Sequence, residues 1–162
     1  MPSGKSHYVA FRSAIVVWSI PSNKNIGTFL LGRECNCWEL ARLWAPDGHE
    51  PNLLTKAISK AVGIIKRIER PDILVSYADP NVGHGGGVYR AAGWLYHGRC
   101  EESRAYQGED GAVLARRAFH SGDRSMTKAE IEAAGYSEIK VAGKHRFVRP
   151  LTKRAAADLR PA

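Results

Sequence analysis

The sequence predicts a single α+β domain in which helices flank a central mixed β-sheet. Three observations support this fold class: strand patterns open the chain, an amphipathic helix pattern covers residues 52–70, and a buried strand follows at residues 73–75. A strand, a helix and a second strand in this order form a right-handed crossover with parallel strands. Antiparallel strands before the crossover make the sheet mixed. The 162 residues, 44% of them hydrophobic, suit one domain with its own core.

The first elements are predicted from the alternation of apolar and polar residues. Residues 8–20 alternate loosely and include a β-branched run, which predicts strands. Residues 26–31 are predicted to form a further strand. Residues 37–44 alternate again and predict the strand that leads into the crossover.

One charged residue lies in phase with the apolar side of that last strand. Trp38 and Leu40 share a face if the alternation is regular, and Arg42 follows them on it. A buried arginine needs an anionic partner or a ligand. Arg42 is therefore predicted to hold an anionic group, or else to form an ion pair with Glu39 or Asp79.

The long helix is predicted from an apolar stripe whose members are three or four residues apart. Pro71 ends the helix pattern. The stripe consists of Leu54, Ile58, Ala61, Ile65 and Ile68.

Residues 71–98 are the stretch around which the chain is organised. A buried strand at 73–75 ends in polar residues at 76–80, and a glycine-rich loop at 83–87 leads into a short helix that carries Tyr89. Polar groups at a strand end that faces such a loop are a common place for chemistry in α/β proteins. The alternative is a tight turn whose glycines only relieve backbone strain.

The C-terminal part is predicted to contain two hairpins and a short helix. Residues 103–119 form the first hairpin, and a capping-box pattern starting at Thr127 begins the helix. Strands at 138–141 and 145–148 form the second hairpin. The tail after Leu151 is basic and is expected to be frayed, so we place the boundaries at 1–151 for the domain and 152–162 for the tail.

Composition restricts the class of protein. Lysine and arginine exceed aspartate and glutamate to give a formal charge of +8, which favours a polyanionic partner such as nucleic acid. The three cysteines are an odd number and argue against a disulfide framework.

The chain has no apolar run of membrane length and no apolar signal core at its start, so we expect a cytoplasmic protein that binds no membrane. Cys35-x-Cys37 lacks the second half of a zinc signature, and we predict no metal site.

The predicted order of elements is similar to the acyltransferase fold of the GNAT superfamily. Tyr89-x-x-x-Gly93-Trp94 resembles the Tyr-x-x-x-Gly-Phe segment of those enzymes. Their glycine-rich turn, which binds the pyrophosphate of acetyl-coenzyme A at the start of the long helix, has no counterpart here. The corresponding residues 45–55 contain one glycine, and Asp47 and Glu50 would repel a pyrophosphate.

A narrower set of motifs resembles the phage Mom family over residues 7–151. The most specific part runs from Ser-Tyr-Ala-Asp-Pro at 76–80 to Tyr-x-Ala at 89–91. The other matching segments are residues 39–44, Asn52-x-x-Thr55, Leu74-Val75, Gly83-His84-x-Gly86, Trp94 and residues 144–147. The resemblance implies a GNAT-like enzyme that converts adenine in phage DNA to the N6-carbamoylmethyl form, which protects the DNA from host restriction in the bacterial cytoplasm. Some family members are longer, so we expect that an N-terminal segment is missing here.

The resemblance also implies roles for individual residues. Asp79 would be the base or the hydrogen-bond acceptor for adenine N6, and Tyr89 would donate a proton to the leaving group. Arg42 would hold an anionic group of donor or substrate. Thr55 stands where the family commonly has serine, and the resemblance makes it a candidate site residue. The alternative is that Thr55 only completes the first turn of the helix. Ser76, three residues before Asp79, is a further candidate, and the alternative for Tyr89 is packing on the sheet.

The implied cofactor and partner follow from the same chemistry. The group donor is a coenzyme A thioester or another activated donor, and its candidate binding residues are Asn52, Gly83 and Gly86. The partner is double-stranded DNA with a flipped-out adenine, because a base inside a duplex is out of reach. Basic residues of the C-terminal part would bind the DNA backbone, unless they only form a solvated surface. They are Arg116, Arg117, Lys140, Lys144, Arg146 and Arg149.

Two other functions remain open from the sequence. The first is a GNAT acetyltransferase that uses acetyl-coenzyme A on a small molecule, a protein or an aminoacyl-tRNA. The second is a non-catalytic DNA-binding or inhibitory protein, which a cleft filled with side chains would favour.

Overall fold

The computed structural model describes residues 5–122 and 124–162 and contains three β-sheets and five α-helices within those residues. The strands are β1 (Ser6–Phe11), β2 (Ala14–Ser19), β3 (Cys37–Trp44), β4 (Ile73–Ala78), β5 (Leu95–Arg99), β6 (Ser103–Gln107), β7 (Val113–Ala115), β8 (His120–Ser121), β9 (Arg124–Ser125), β10 (Ser137–Val141) and β11 (His145–Pro150). The helices are α1 (Ile26–Leu31), α2 (Leu53–Ile68), α3 (Gly87–Ala91), α4 (Lys128–Ala133) and α5 (Lys153–Asp158).

The central sheet has six strands in the order β1-β2-β3-β4-β11-β5. Strands β1, β2 and β3 are antiparallel neighbours, and β3 and β4 are parallel and joined by α2. This crossover and the antiparallel pairing of β11 with both β4 and β5 make the sheet mixed. The predicted α+β class with a mixed sheet and flanking helices is confirmed.

Helix α2 covers one face of the sheet, and α1 and α5 lie against the other. The buried stripe of α2 includes Ile58, Ala61 and Ile65, as predicted, but Leu54 is only half-buried and Ile68 is exposed. The predicted capping box of α4 is also present, with the Thr127 side chain bonded to the Glu130 N–H and the reverse bond formed. No helix in the described ranges is long and apolar enough to cross a membrane.

Residues 26–31 form α1, so the predicted strand at this position is wrong. Ile26, Leu30 and Leu31 are buried, and the four-residue step from Ile26 to Leu30 places both on the sheet. Gly32, at φ +69°, ends the helix by donating its N–H to the Thr28 carbonyl. A six-residue apolar run fits a helix or a strand by its pattern alone, which explains the error.

A β-bulge in β3 reverses the direction in which its later side chains point. The register with β2 passes from Trp18–Leu40 to Val17–Arg42, which leaves Ala41 as the extra residue. Leu40 is buried before the bulge, and Leu43 packs on the same core after it. Arg42 is consequently exposed, and the prediction that it lies on the buried apolar side is wrong.

The last part of the chain is arranged differently from the prediction. The hairpin of β6 and β7 is present but shorter than predicted, since residues 116–119 form a 3-10 turn. The second hairpin is wrong: β10 pairs with β6, whereas β11 enters the central sheet. Phe147 and Val148 of β11 are both fully buried on opposite faces, as a central strand requires. The expected frayed tail contains α5, whose Ala155 is buried.

Candidate active site

An open cleft of about 740 Å³ lies beside the carboxyl end of β4. The pairing of β3 with β4 ends at Leu40 and Ser76, so the rest of β3 runs without β4 beside it. The cleft is lined by this free part of β3, by Asp79 at the end of β4, by the loop at 83–87 and by α3 with Tyr89. A volume of this size is typical of a small-molecule or nucleotide site.

Asp79 presents a hydrogen-bonded carboxylate to the cleft. Its Oδ1 accepts hydrogen bonds from the backbone N–H of Asn81 at 3.0 Å and from the Asn81 side chain at 2.9 Å. Lys144 Nζ lies 3.5 Å from Oδ2. Partial burial opposes ionisation, but the bonds from Asn81 and the charge of Lys144 outweigh it and lower the Asp79 pKa. Asp79 is therefore charged at neutral pH and is a good acceptor but a weak base.

Tyr89 presents a protonated phenol to the same cleft. Only 8% of the residue is exposed, and its ring lies 5.6 Å from Trp94 and 5.3 Å from Phe147 between centroids. Burial raises the pKa of the Tyr89 hydroxyl, and the neighbouring Ser76 hydroxyl only partly offsets this. The phenol remains neutral and able to donate its proton or a hydrogen bond.

Ser76 supports the cleft from behind. The residue is fully buried, and its hydroxyl donates a hydrogen bond of 2.9 Å to the Leu40 carbonyl. This bond joins β4 to β3 at the last pair before the strands separate. Ser76 does not line the cleft, so its position indicates support of Tyr89 and of the strand junction.

Arg42 and Trp44 line the cleft from the free part of β3. Within the described residues, neither predicted ion pair of Arg42, with Glu39 or with Asp79, is formed; Asp79 is paired with Lys144. Trp44 is 57% exposed, although regular alternation along residues 37–44 would place it on the same side as the buried Trp38 and Leu40. Sequence reasoning missed Trp44 as a site residue because the bulge at Ala41, which turns it outward, depends on pairing with β2.

The two predicted glycines of the loop differ in what they tolerate. Gly83 and Gly86 both have a left-handed backbone, with φ of +78° and +77°. A Cβ on Gly86 would overlap the ring of Phe147, whereas a Cβ on Gly83 would meet no atom. Gly86 therefore lets the loop lie on the aromatic core, and Gly83 is open toward the cleft that both line.

Of the residues at the start of α2, Leu54 lines the cleft, whereas the predicted Asn52 and Thr55 do not. Asn52, at φ +63°, begins the helix without a side-chain capping bond, and Thr55 is half-buried in the first turn. Glu50 forms an ion pair with Arg12, and Asp47 lies exposed in the same loop. These carboxylates oppose a pyrophosphate at this helix end, so the residues present do not fit the usual coenzyme A site.

The predicted DNA-binding residues fall into two groups. Arg116 donates to the Met126 carbonyl at 2.6 Å, Arg146 to His97 at 3.3 Å and Arg149 to Ala92 at 3.0 Å. These three arginines are thus engaged within the fold. The other three predicted residues are exposed: Arg117, Lys140 and Lys144. Within the described ranges, no group of three or more His, Cys, Asp and Glu side chains is arranged to hold a metal ion.

Comparison with known proteins gives one sequence match and a weak structural likeness. A model of the Mom protein family matches residues 13–162. No curated protein matches the sequence significantly. The crystal structure of a Bacillus subtilis acetyltransferase in complex with CoA is similar, with a TM-score of 0.49, 8% identity, and coverage of 92% of this chain and 78% of that chain. A likeness at this level assigns no function.

Proposed function

The chain belongs to the Mom protein family, and from this premise we propose that it converts adenine in DNA to the N6-carbamoylmethyl form. Such a reaction replaces one N6 hydrogen by a carbamoylmethyl group and would protect phage DNA from host restriction. The single observation that carries the proposal is that one open cleft is lined by both a carboxylate, Asp79, and a phenol, Tyr89. This pair supplies one acceptor and one donor to a reacting group.

Asp79 orients the adenine amino group in this proposal. The N6 lone pair is delocalised into the ring, so N6 is a poor nucleophile. A carboxylate that accepts a hydrogen bond from the N6–H group increases the electron density on N6. The lowered pKa of Asp79 favours this acceptor role over full proton abstraction. The bond from N6 to the carbamoylmethyl carbon forms as the bond from that carbon to its leaving group breaks. Tyr89 donates its proton to the leaving group, and the proton that N6 then loses returns to Tyr89 directly or through water. Arg42 holds an anionic part of donor or substrate.

The donor in this proposal is an activated molecule that carries the carbamoylmethyl group on a leaving group, because acyl transfer from a thioester would form an amide at N6 instead. Asp47 and Glu50 before α2 disfavour the usual pyrophosphate position, so we assign no step to coenzyme A. Gly83 and its neighbours give the donor an approach to the backbone beside Asp79, because a Cβ on Gly83, Gly85 or Gly87 would meet no atom.

The substrate in this proposal is a flipped-out adenine of duplex DNA. The cleft is open to solvent instead of filled with side chains, which argues against the non-catalytic alternative. Arg117 and Lys140 are the predicted basic residues that remain available for the phosphate backbone, whereas Lys144 is exposed but is paired with Asp79.

Mass spectrometry of nucleosides from DNA of cells that express the chain tests the proposal. We expect a carbamoylmethyl adduct of deoxyadenosine in these cells and none in cells with the empty vector. Unmodified deoxyadenosine, in cells where the folded protein is shown to accumulate, would contradict it. An acetylated small molecule, protein or aminoacyl-tRNA in the same cells would favour the acetyltransferase alternative.

A further inference from the structure

One of the four tryptophans differs from the others in exposure. Trp18, Trp38 and Trp94 are 0%, 3% and 4% exposed, whereas Trp44 is 57% exposed. Trp44 also lines the cleft that holds Asp79 and Tyr89. Large apolar side chains are exposed elsewhere in the chain too, but Trp44 lies at a polar cleft, so its exposed ring is available to a molecule that enters the cleft.

The backbone fixes Trp44 beside a positive charge. Trp44 pairs with Ile15 and Arg42 with Val17 in the regular part of β3 after the bulge. Residues two apart on a strand point to the same side, and their Cα atoms are about 6.6 Å apart. The side chains of Arg42 and Trp44 therefore lie next to each other. An exposed indole ring and a guanidinium at this spacing offer a stacking surface and an anion contact to one molecule.

The charges of the cleft favour an anionic ligand at Arg42. Asp79 is the acidic residue of the cleft lining, and it is paired with Lys144. Within the described residues, Arg42 has no ion-pair partner, so its guanidinium remains available. A nucleotide combines what the two side chains recognise, because it carries a planar base and a phosphate.

We propose that Trp44 is a stacking platform for a nucleobase at the mouth of the cleft, with a phosphate of the same strand on Arg42. The inference rests on the proposed function and names the contact that would hold the DNA strand next to Asp79. Stacking does not depend on base identity, since every base has a π-face. Trp44 therefore contributes affinity for an unpaired base, and the polar groups of the cleft select adenine.

Acrylamide quenching of tryptophan fluorescence in the full chain tests the proposal, because the quencher reaches the exposed Trp44 before the three buried tryptophans. The probes are two single-stranded oligonucleotides of equal length, one of deoxyadenosine and one with the same backbone but no bases. We expect the first to protect Trp44 from acrylamide and the second to leave it accessible. The expected protection disappears in Trp44→Phe, which identifies its source.

Binding of the deoxyadenosine oligonucleotide to variants provides the second readout. Trp44→Ala should weaken binding about tenfold or more, and Trp44→Phe should bind within about threefold of wild type because a stacking ring remains. Tyr8→Ala is the matched control: Tyr8 is 74% exposed but lies on β1, outside the cleft lining, and its loss should leave binding unchanged.

Two results would overturn the stacking role: equal protection of Trp44 by both oligonucleotides, or Trp44→Ala binding as tightly as wild type. The failure of the proposed function looks different. Protection of Trp44 by a base in a protein that leaves cellular adenine unmodified would refute the modification reaction and keep the binding site. Modified adenine without protection of Trp44 would refute the binding site and keep the reaction.

Discussion

Tyr89 shows how one side chain serves both the core and the cleft. Its ring packs between Trp94 and Phe147, the residue lines the cleft, and burial raises the pKa of its hydroxyl. Removal of the hydroxyl alone therefore separates chemistry from packing.

We predict that Tyr89→Phe lowers the rate of adenine modification by about 10²-fold or more, because the proton donor is lost. The free energy of unfolding should change by less than about 1.5 kcal/mol, because the ring remains. Both are measurable, by timed nucleoside analysis and by urea unfolding. Tyr106→Phe removes a hydroxyl from a residue buried to a similar degree outside the cleft and should keep full activity. An active Tyr89→Phe protein would exclude Tyr89 as the donor.

At the scale of elements, two adjacent glycines at the start of α3 differ in backbone conformation and in the space around them. Gly86 has a left-handed backbone and lies against the Phe147 ring, whereas a Cβ on Gly87 would meet no atom.

We expect Gly86→Ala to destabilise the protein by about 3 kcal/mol, from backbone strain and overlap with Phe147. Gly87→Ala should be neutral or stabilising by up to about 1 kcal/mol, because alanine reduces the conformational entropy of the unfolded chain and meets no obstacle in the folded one. Urea unfolding of both variants tests the pair. Equal stability of the two variants would show that the loop does not rest on Phe147 as described.

The parts that could be predicted from sequence are those whose signals are local. The capping box of α4 and the polar end of β4 are local signals, and each is where the sequence placed it. The stripe of α2 is local too, and its three central members are buried as predicted. Arg42 was misplaced because a bulge at Ala41 arises from pairing with β2. β11 was misplaced because its position between β4 and β5 depends on contacts distant in sequence. The strand β5 was not predicted at all.

The candidate site followed the same division. Asp79, Tyr89 and Gly83 come from one continuous stretch of the chain, and the structure brings them to one cleft. Asn52 and Thr55, nominated only by resemblance, lie outside its lining, and no local pattern in the sequence would have indicated this. Trp44 was missed because its exposure results from strand pairing.

At the scale of the whole molecule, a net charge of +8 favours DNA, but only exposed cations can contribute. We predict that the double variant Arg117→Glu and Lys140→Glu weakens duplex binding irrespective of sequence. Each lost phosphate contact should reduce the slope of log affinity against log salt by about 0.9. Titrations at several salt concentrations measure this slope.

The matched control for that double variant changes the same charge elsewhere. Lys66 and Arg67 are exposed near the end of α2, and Lys66→Glu with Arg67→Glu also removes two positive charges and adds two negative ones. If DNA binds at the predicted residues, this control loses less affinity and keeps a steeper slope. Equal losses in both double variants would indicate that overall charge, and not a local surface, attracts DNA.

The central claim is that the cleft with Asp79 modifies adenine, and Asp79→Asn tests it most directly. The asparagine side chain can still accept the hydrogen bond from the backbone N–H of Asn81, but it carries no charge. Nucleoside mass spectrometry of DNA from expressing cells should show the carbamoylmethyl adduct with wild type and a loss of about 10²-fold or more with Asp79→Asn. Asp110→Asn, in the exposed turn between β6 and β7, should modify like wild type. Undiminished adduct in the Asp79→Asn cells would contradict the account.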